Sequence, residues 1–351
     1  MRNSRRNLAF LVCLVGASLL PVPTGSADPT TSDLNWWNNN IPPRLQWEAN
    51  FGYCGEVSLI SAGLYYGQYL SQYDARAIAS HNTPQSRYRS QLLLGINDHY
   101  AASQMHLNSI EWNYAAEKDT DSFLKWVKEN VLKGYPVAIG IYMNMYRFYH
   151  DKNPRAGSDY DHIVPVFGIG STHPLTDGRY YTDDIVTFSD NGLWHPHDPP
   201  YFFSYEFGGF QASRKQANAR NGAIYSTADN GTNFGIAITG VKDTDHETVP
   251  VRVDTNVNYE IPAIKNGSNE RPAPMPLVLT VTVSGLTPGV TYRLYRYNSF
   301  ESVPDNHFNA HAGQAYQSWT VQIASGDSWV MTQDIASDEI GAYRAVPAAA
   351  P

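Results

Sequence analysis

Apolar positions first fall into a clear rhythm just past a glycine turn. Tyr53, Val57, Ile60 and Leu64 recur every three or four residues, which predicts a helix from about Gly55 with Cys54 at its N-terminus. Gly63 and Gly67 in this stretch allow close packing against another element. Leu124, Val127 and Val131 repeat the helical spacing over Asp121 to Lys133, with Thr120 or Asp121 as cap and Gly134 as stop. Ile78 to Ala102 is polar around Leu92-Leu93-Leu94 and reads as a further helix. Apolar runs then take over. Pro136–Tyr142, His162–Ile169, Asp184–Phe188 and Phe234–Val241 predict strands, with Pro165 marking an edge or a bulge. Trp194 to Arg220 reads as irregular.

The pattern changes beyond Lys242–Thr248. Leu277–Val283, Thr291–Tyr297, Ser318–Ile323 and Ser328–Thr332 read as strands separated by turns. Helices followed by antiparallel strands predict an α+β fold. The division expected is an N-terminal arm at 28–40 that packs by Trp36 and Trp37, a helix-plus-sheet domain at 41–245, and a small all-β sandwich-like domain at 250–346.

The first 27 residues read differently. Arg2, Arg5 and Arg6 precede an apolar run from Leu8 to Leu20, and Gly25-Ser26-Ala27 offers small residues before Asp28. That is the layout of a secretory signal peptide, so a secreted, extracellular protein is expected, with no membrane insertion because no later run reaches spanning length. Loss of residues 1–27 leaves 22 basic against 33 acidic residues, and the formal net charge moves from −8 to −11. Nucleic acid is excluded as a partner on this ground, since it rewards clustered Lys and Arg. The 351 residues suffice for a sizeable core, and 24 tyrosines and 8 tryptophans supply either core filling or a binding surface.

Of the two cysteines, Cys13 lies in the signal segment, which leaves Cys54 without an intramolecular disulfide partner. A thiol at a helix N-terminus meets unpaired backbone N–H groups and the positive end of the helix dipole. Glu56, in the same first turn, would oppose a thiolate if it pointed the same way. A cysteine nucleophile also needs a base, a group that orients the base, and donors for an oxyanion. His162 opens one strand and Asp190-Asn191 closes the next, so His162 is the expected base and Asp190 its orienter, with Asn191 as the alternative. The Cys54 backbone N–H and the Gln46 side-chain amide are the expected oxyanion donors.

Gln46, Gly52-Tyr53-Cys54-Gly55 opening a helix, Asp161-His162 opening an apolar strand and Asp190-Asn191 ending the next occur in an order that resembles the papain-like cysteine peptidases. The nearest likeness is to the branch of bacteriocin-leader-processing (double-glycine) peptidases, and Lys133-Gly-Tyr-Pro-Val137 is similar to the segment before the histidine there. The resemblance covers about residues 41–242. It implies a papain-like fold and a cysteine hydrolase acting on a peptide or protein substrate through a thioester. Cys54 would be the nucleophile, His162 the base, Asp190 the orienter and Gln46 the oxyanion donor. The spacing from Gln46 to Cys54 is longer than is usual in that family, and Glu56 stands where many relatives carry a small or apolar residue.

Other readings compete. The same acyl-enzyme could pass its acyl group to an amine, as a transglutaminase-like transferase does. Tyr142–Tyr149 and Tyr201–Phe203, with the C-terminal strands, would equally suit a non-catalytic binder of glycans or proteins. Neither a cofactor nor a metal is expected. His195, His197 and Asp198 lack further ligands at zinc spacing, and Asp183-Asp184 and Asp243-Thr-Asp245 read as solvated loop acids rather than calcium sites.

Overall fold

The computed structural model describes residues 34–151, 159–192, 201–258 and 264–348. The expected signal peptide and the His195–Asp198 segment lie outside the described residues. In chain order, strand β1 (Asn35–Asn38) precedes helix α1 (Cys54–Tyr65), strand β2 (Gln68–Tyr69), and helices α2 (Gln72–Ala79) and α3 (Asp98–Gln104). Strand β3 (Leu107–Glu111), helix α4 (Thr120–Leu132), strand β4 (Val137–Met143) and the short helix α5 (Met145–Tyr149) follow. Next come β5 (His162–Ser171), β6 (Ile185–Asp190), β7 (Tyr201–Glu206), β8 (Gln211–Ala212), α6 (Arg214–Ala217), β9 (Tyr225–Ala228) and β10 (Gly235–Val241). The C-terminal part holds β11 (Val251–Thr255), β12 (Pro276–Ser284), β13 (Thr291–Tyr297), β14 (Gln317–Gln322), β15 (Ser328–Ala336) and β16 (Gly341–Pro347).

The fold is α+β. The main sheet runs β3-β10-β4-β5-β6-β7, antiparallel throughout, and β1 pairs with the second half of β5. One core lies between this sheet and α4, where Phe123, Leu124, Val127 and Val131 pack against Val137, Ile139, Val164 and Val166. Each such side chain taken fully out of water contributes about 1.5–3 kcal/mol. Asp119 caps α4, its carboxylate accepting from the Ser122 N–H, one residue earlier than the cap expected. Pro165 sits opposite Ala138, next to the register shift between Val166 and Gly168, so its missing N–H falls where β6 has not begun to pair.

Helix α1 is the hub of the other side. Gly55 to Leu64 are all buried, including Glu56, Ser58 and Ser61, so the apolar stripe of the sequence marks only part of a helix enclosed all round. Gly55 is required here: a Cβ on it would lie 2.2 Å from the Leu92 carbonyl oxygen. The C-terminal strands form two antiparallel sheets, β11-β12-β15 and β14-β13-β16-β2, the second completed by a strand from the N-terminal part. Their apolar faces join a core that includes Leu59, Leu64, Tyr69 and Ala75. Residues from Asn35 onward form one compact unit.

Two expectations fail. Ile78–Ala102 is not one helix: α2 ends at Ala79, where His81 and Asn82 take positive φ, and the chain reaches α3 through turns past Pro84 and Gly95. The segment 201–220 is not irregular but carries β7, β8 and α6. Phe203 and Tyr205 of β7 stack on Phe188, a cross-strand aromatic pairing that its proline-rich approach concealed. Among the described residues no helix is long and apolar enough to cross a membrane.

Candidate active site

The chain enters α1 through an elbow. Asn50, Phe51 and Gly52 take φ values of +48°, +72° and +84°, a left-handed run that only Gly adopts freely. Three sets of bonds hold it. Arg76, fully buried on α2, donates from Nη1 to the Asn50 carbonyl (2.8 Å) and from Nη2 to the Gly52 carbonyl. Its Nε pairs with Glu56 at 2.6 Å, and its guanidinium lies 3.5 Å from the Tyr53 ring centre. Glu56 also accepts the Leu92 N–H, so this carboxylate is engaged inside the protein. From the C-terminal part, Asn266 Oδ1 accepts the Asn50 N–H at 3.0 Å. Asn50 Nδ2 donates to the Ser268 carbonyl at 2.8 Å, and Asn50 Oδ1 accepts the Gly267 N–H at 2.6 Å. Gln46 Oε1 accepts the Tyr53 N–H at 2.8 Å, which leaves Nε2 as the outward end of that amide.

Cys54 is the first residue of α1, half-buried and free, and no side chain caps this helix end. The first-turn N–H groups therefore stay open to an anion. His162 and Asp190 arrive from the sheet. β5 and β6 run antiparallel, so the first residue of one lies beside the last residue of the other. His162 Nε2 meets Asp190 Oδ1 at 3.2 Å, and the Cys54 side chain lies near enough to the same imidazole to help raise its pKa. Gln46 closes the group. A Cβ built on Gly192 would sit 2.8 Å from Gln46 Nε2, 3.4 Å from Asp190 Oδ1 and 3.5 Å from His162 Cε1. Only glycine leaves that space open.

Asp190 has two further donors. The Gly192 N–H reaches Oδ1 at 2.6 Å and the Tyr225 hydroxyl donates to Oδ2. Burial alone would raise the Asp190 carboxyl, but His162, Tyr225 and Gly192 together hold it below the ordinary carboxylate value. Burial likewise lowers His162, yet the hydrogen bonds and charges of Asp190 and Cys54 outweigh it and push the imidazole up to about 10. Burial and the Asp190 charge push the Tyr225 phenol far above its usual range, so it stays a donor. The Tyr225 ring lies beside His162 at 6.2 Å and 26°, backed edge-on by Phe188 and Phe203.

Asn191 goes elsewhere. Its Nδ2 spans the Cys54 carbonyl (3.3 Å), Ser58 Oγ (3.4 Å) and the Ile163 carbonyl (3.1 Å), which ties α1 to β5 behind the thiol. It is thus Asp190, not Asn191, that is bonded to His162, and the amide beside it locks the frame. Phe51 and Tyr88, both largely exposed and edge-to-face at 5.5 Å, stand at the elbow. Sequence reasoning brought out Cys54, His162, Asp190 and Gln46, which converge. It missed Arg76, Tyr225 and Asn266. No local pattern marks Arg76 or Tyr225, and Asn266-Gly-Ser268 carries only a turn signal. Asp245 and Glu247 on one loop and His307 on another bring metal-capable atoms within 4.8 Å of one another, and Asp245 already pairs with His307 at 3.0 Å.

A scan against models of protein families, a search of curated proteins and a search of solved structures each found no match to this chain.

Proposed function

We propose that the chain is a secreted cysteine hydrolase of the papain-like kind, cleaving peptide or isopeptide bonds. The observation that carries this reading is the buried His162 imidazole, bonded to Asp190 and close enough to Cys54 for the thiol to help raise its pKa. Asp190 fixes the ring and offsets the charge of the imidazolium that forms when His162 takes the thiol proton. The thiolate attacks the carbonyl carbon. Its oxyanion is received by the Cys54 N–H and Gln46 Nε2. The imidazolium then gives its proton to the leaving amine as the C–N bond breaks, leaving a thioester. Water attacks the thioester while His162 accepts its proton, and thiolate and a carboxylic acid are released. Arg2, Arg5 and Arg6 ahead of the apolar run Leu8–Leu20 support the export part of this reading.

The test is Cys54→Ala against wild type on a mixed peptide library, with iodoacetamide labelling at pH 6 in parallel. Wild type is expected to cleave and to label rapidly, with labelling slowed in His162→Ala. Full cleavage by the Cys54→Ala protein, or wild-type labelling no faster than that of a free cysteine peptide, ends this reading.

A further inference from the structure

The elbow before α1 carries a feature that folding by itself does not explain. Ala49 to Gly52 is a tight turn, closed by the Gly52 N–H donating to the Ala49 carbonyl at 2.8 Å. Its two central residues, Asn50 and Phe51, both take positive φ, as in a type I′ turn. Glycine is favoured at the second of these places, because a Cβ there crowds the backbone. A phenylalanine at φ +72° is strained, and burial does not offset the strain, since Phe51 is 61% exposed. Tyr88, 66% exposed, meets it edge to face. That geometry leaves a ring face of the pair open to a third apolar group.

The pair is fixed beside the thiol. Phe51 precedes Cys54 by three residues, so their Cα atoms lie within about 11 Å of each other. The Tyr88 segment is pinned to the start of α1 at both ends. Gln85 Oε1 accepts the Tyr53 hydroxyl at 2.9 Å, and the Leu92 N–H donates to Glu56 at 3.0 Å. Burial, then the charges of Cys54, Asp98 and Tyr88, raise the Tyr160 phenol, so Cys54 and Tyr88 both lie near that one hydroxyl. Residues 266–269 of the C-terminal part hold both halves. Asn266, Gly267 and Ser268 bond to Asn50, and Asn269 Oδ1 accepts the Ser86 N–H at 2.9 Å. The charged neighbours Glu48, Arg87 and Arg89 are exposed and screened by solvent, so the two rings set the chemistry of the patch.

We infer that Phe51 and Tyr88 form a subsite for an aromatic or large apolar side chain of a peptide substrate, one to three residues from the bond that Cys54 attacks. An extended peptide advances about 3.3 Å per residue, so three residues cover the reach from thiol to ring. The inference rests on the reading of Cys54 as a peptide-cleaving nucleophile. Peptides identical except for one Phe or Ala, moved through the three positions on either side of the cleaved bond, test it. They are scored by kcat/KM with wild type and by calorimetric binding to the Cys54→Ala protein. At one position at least, Phe should exceed Ala by about ten-fold in both measurements. Phe51→Gly and Tyr88→Ala should each bring that ratio below about three-fold. Phe51→Gly also separates recognition from structure, because glycine relieves the turn and Tm should not fall. A preference for Phe in binding, with no cleavage by wild type, keeps the subsite as a peptide-binding site and ends the reading of Cys54 as a nucleophile. Cleavage with no preference for Phe at any position, equal binding of Phe and Ala peptides, a ratio undiminished in both variants, or a fall in Tm of Phe51→Gly alongside the lost preference overturns the inference.

Discussion

Glu56 and Arg76 form an ion pair at 2.6 Å with both side chains buried, and the pair begins two residues after Cys54. The acid that the sequence placed in opposition to a thiolate is thus neutralised on the inner side of α1. Because the same guanidinium holds the Asn50 and Gly52 carbonyls, the pair also sets the elbow from which Cys54 projects.

Breaking that pair from one side should be severe. Arg76→Met leaves Glu56 charged and buried without its counter-ion, with the Leu92 N–H still donating to it, at a cost of about 3–5 kcal/mol in denaturant unfolding. The double variant Glu56→Gln, Arg76→Met should recover a good part of this stability and little of the peptide cleavage, since the elbow carbonyls still lack their donor. Full recovery of cleavage in the double variant would show that Arg76 does nothing for the elbow.

The C-terminal part grips the same elbow through Asn266. Asn266→Ala removes the acceptor for the Asn50 N–H and should destabilise the fold by about 1–2 kcal/mol. A looser elbow should also lower kcat with little change in KM. A stability loss with kcat intact would make the contact purely structural.

His162 and Asp190 tie stability to pH. His162 titrates at about 10 in the folded chain against 6.5 free, so its contribution is full below pH 6.5 and fades as pH rises through about 10. Asp190 is depressed below 3.8, so its contribution is full above that value and fades as pH falls through its folded value. The Tm gap between wild type and His162→Gln should therefore be widest between about pH 4 and 6.5 and shrink on both sides. A gap that widens from pH 7 to 10 would contradict the assigned pair.

Much of this was readable beforehand. α1, α4, β4, β5, β6 and β10 follow from periodicity, because each buries a continuous apolar face. Cys54, His162 and Asp190 stood out because chemistry-bearing residues sat at the ends of those elements. What stayed hidden depends on distant partners. β1 is stabilised by pairing with β5 rather than by its own pattern, since all four of its residues are exposed. β9, four buried residues, is too short to give a period, yet it delivers Tyr225 to Asp190. Arg76 looks like a solvated helix arginine until α1 is packed against it.

The pairing of β2 with β16 joins Gln68 to Ala342 and Tyr69 to Gly341. Gly67, just past α1, accepts the Tyr343 N–H at 2.8 Å. Such sequence separation makes closure slow relative to local contacts. The helix that begins with Cys54 therefore cannot seat its far end until the strand Gly341–Pro347 has been synthesised. A chain that stops short of Gly341 lacks the partners of Gly67, Gln68 and Tyr69, so the end of α1 opposite Cys54 is left without the strand that covers it.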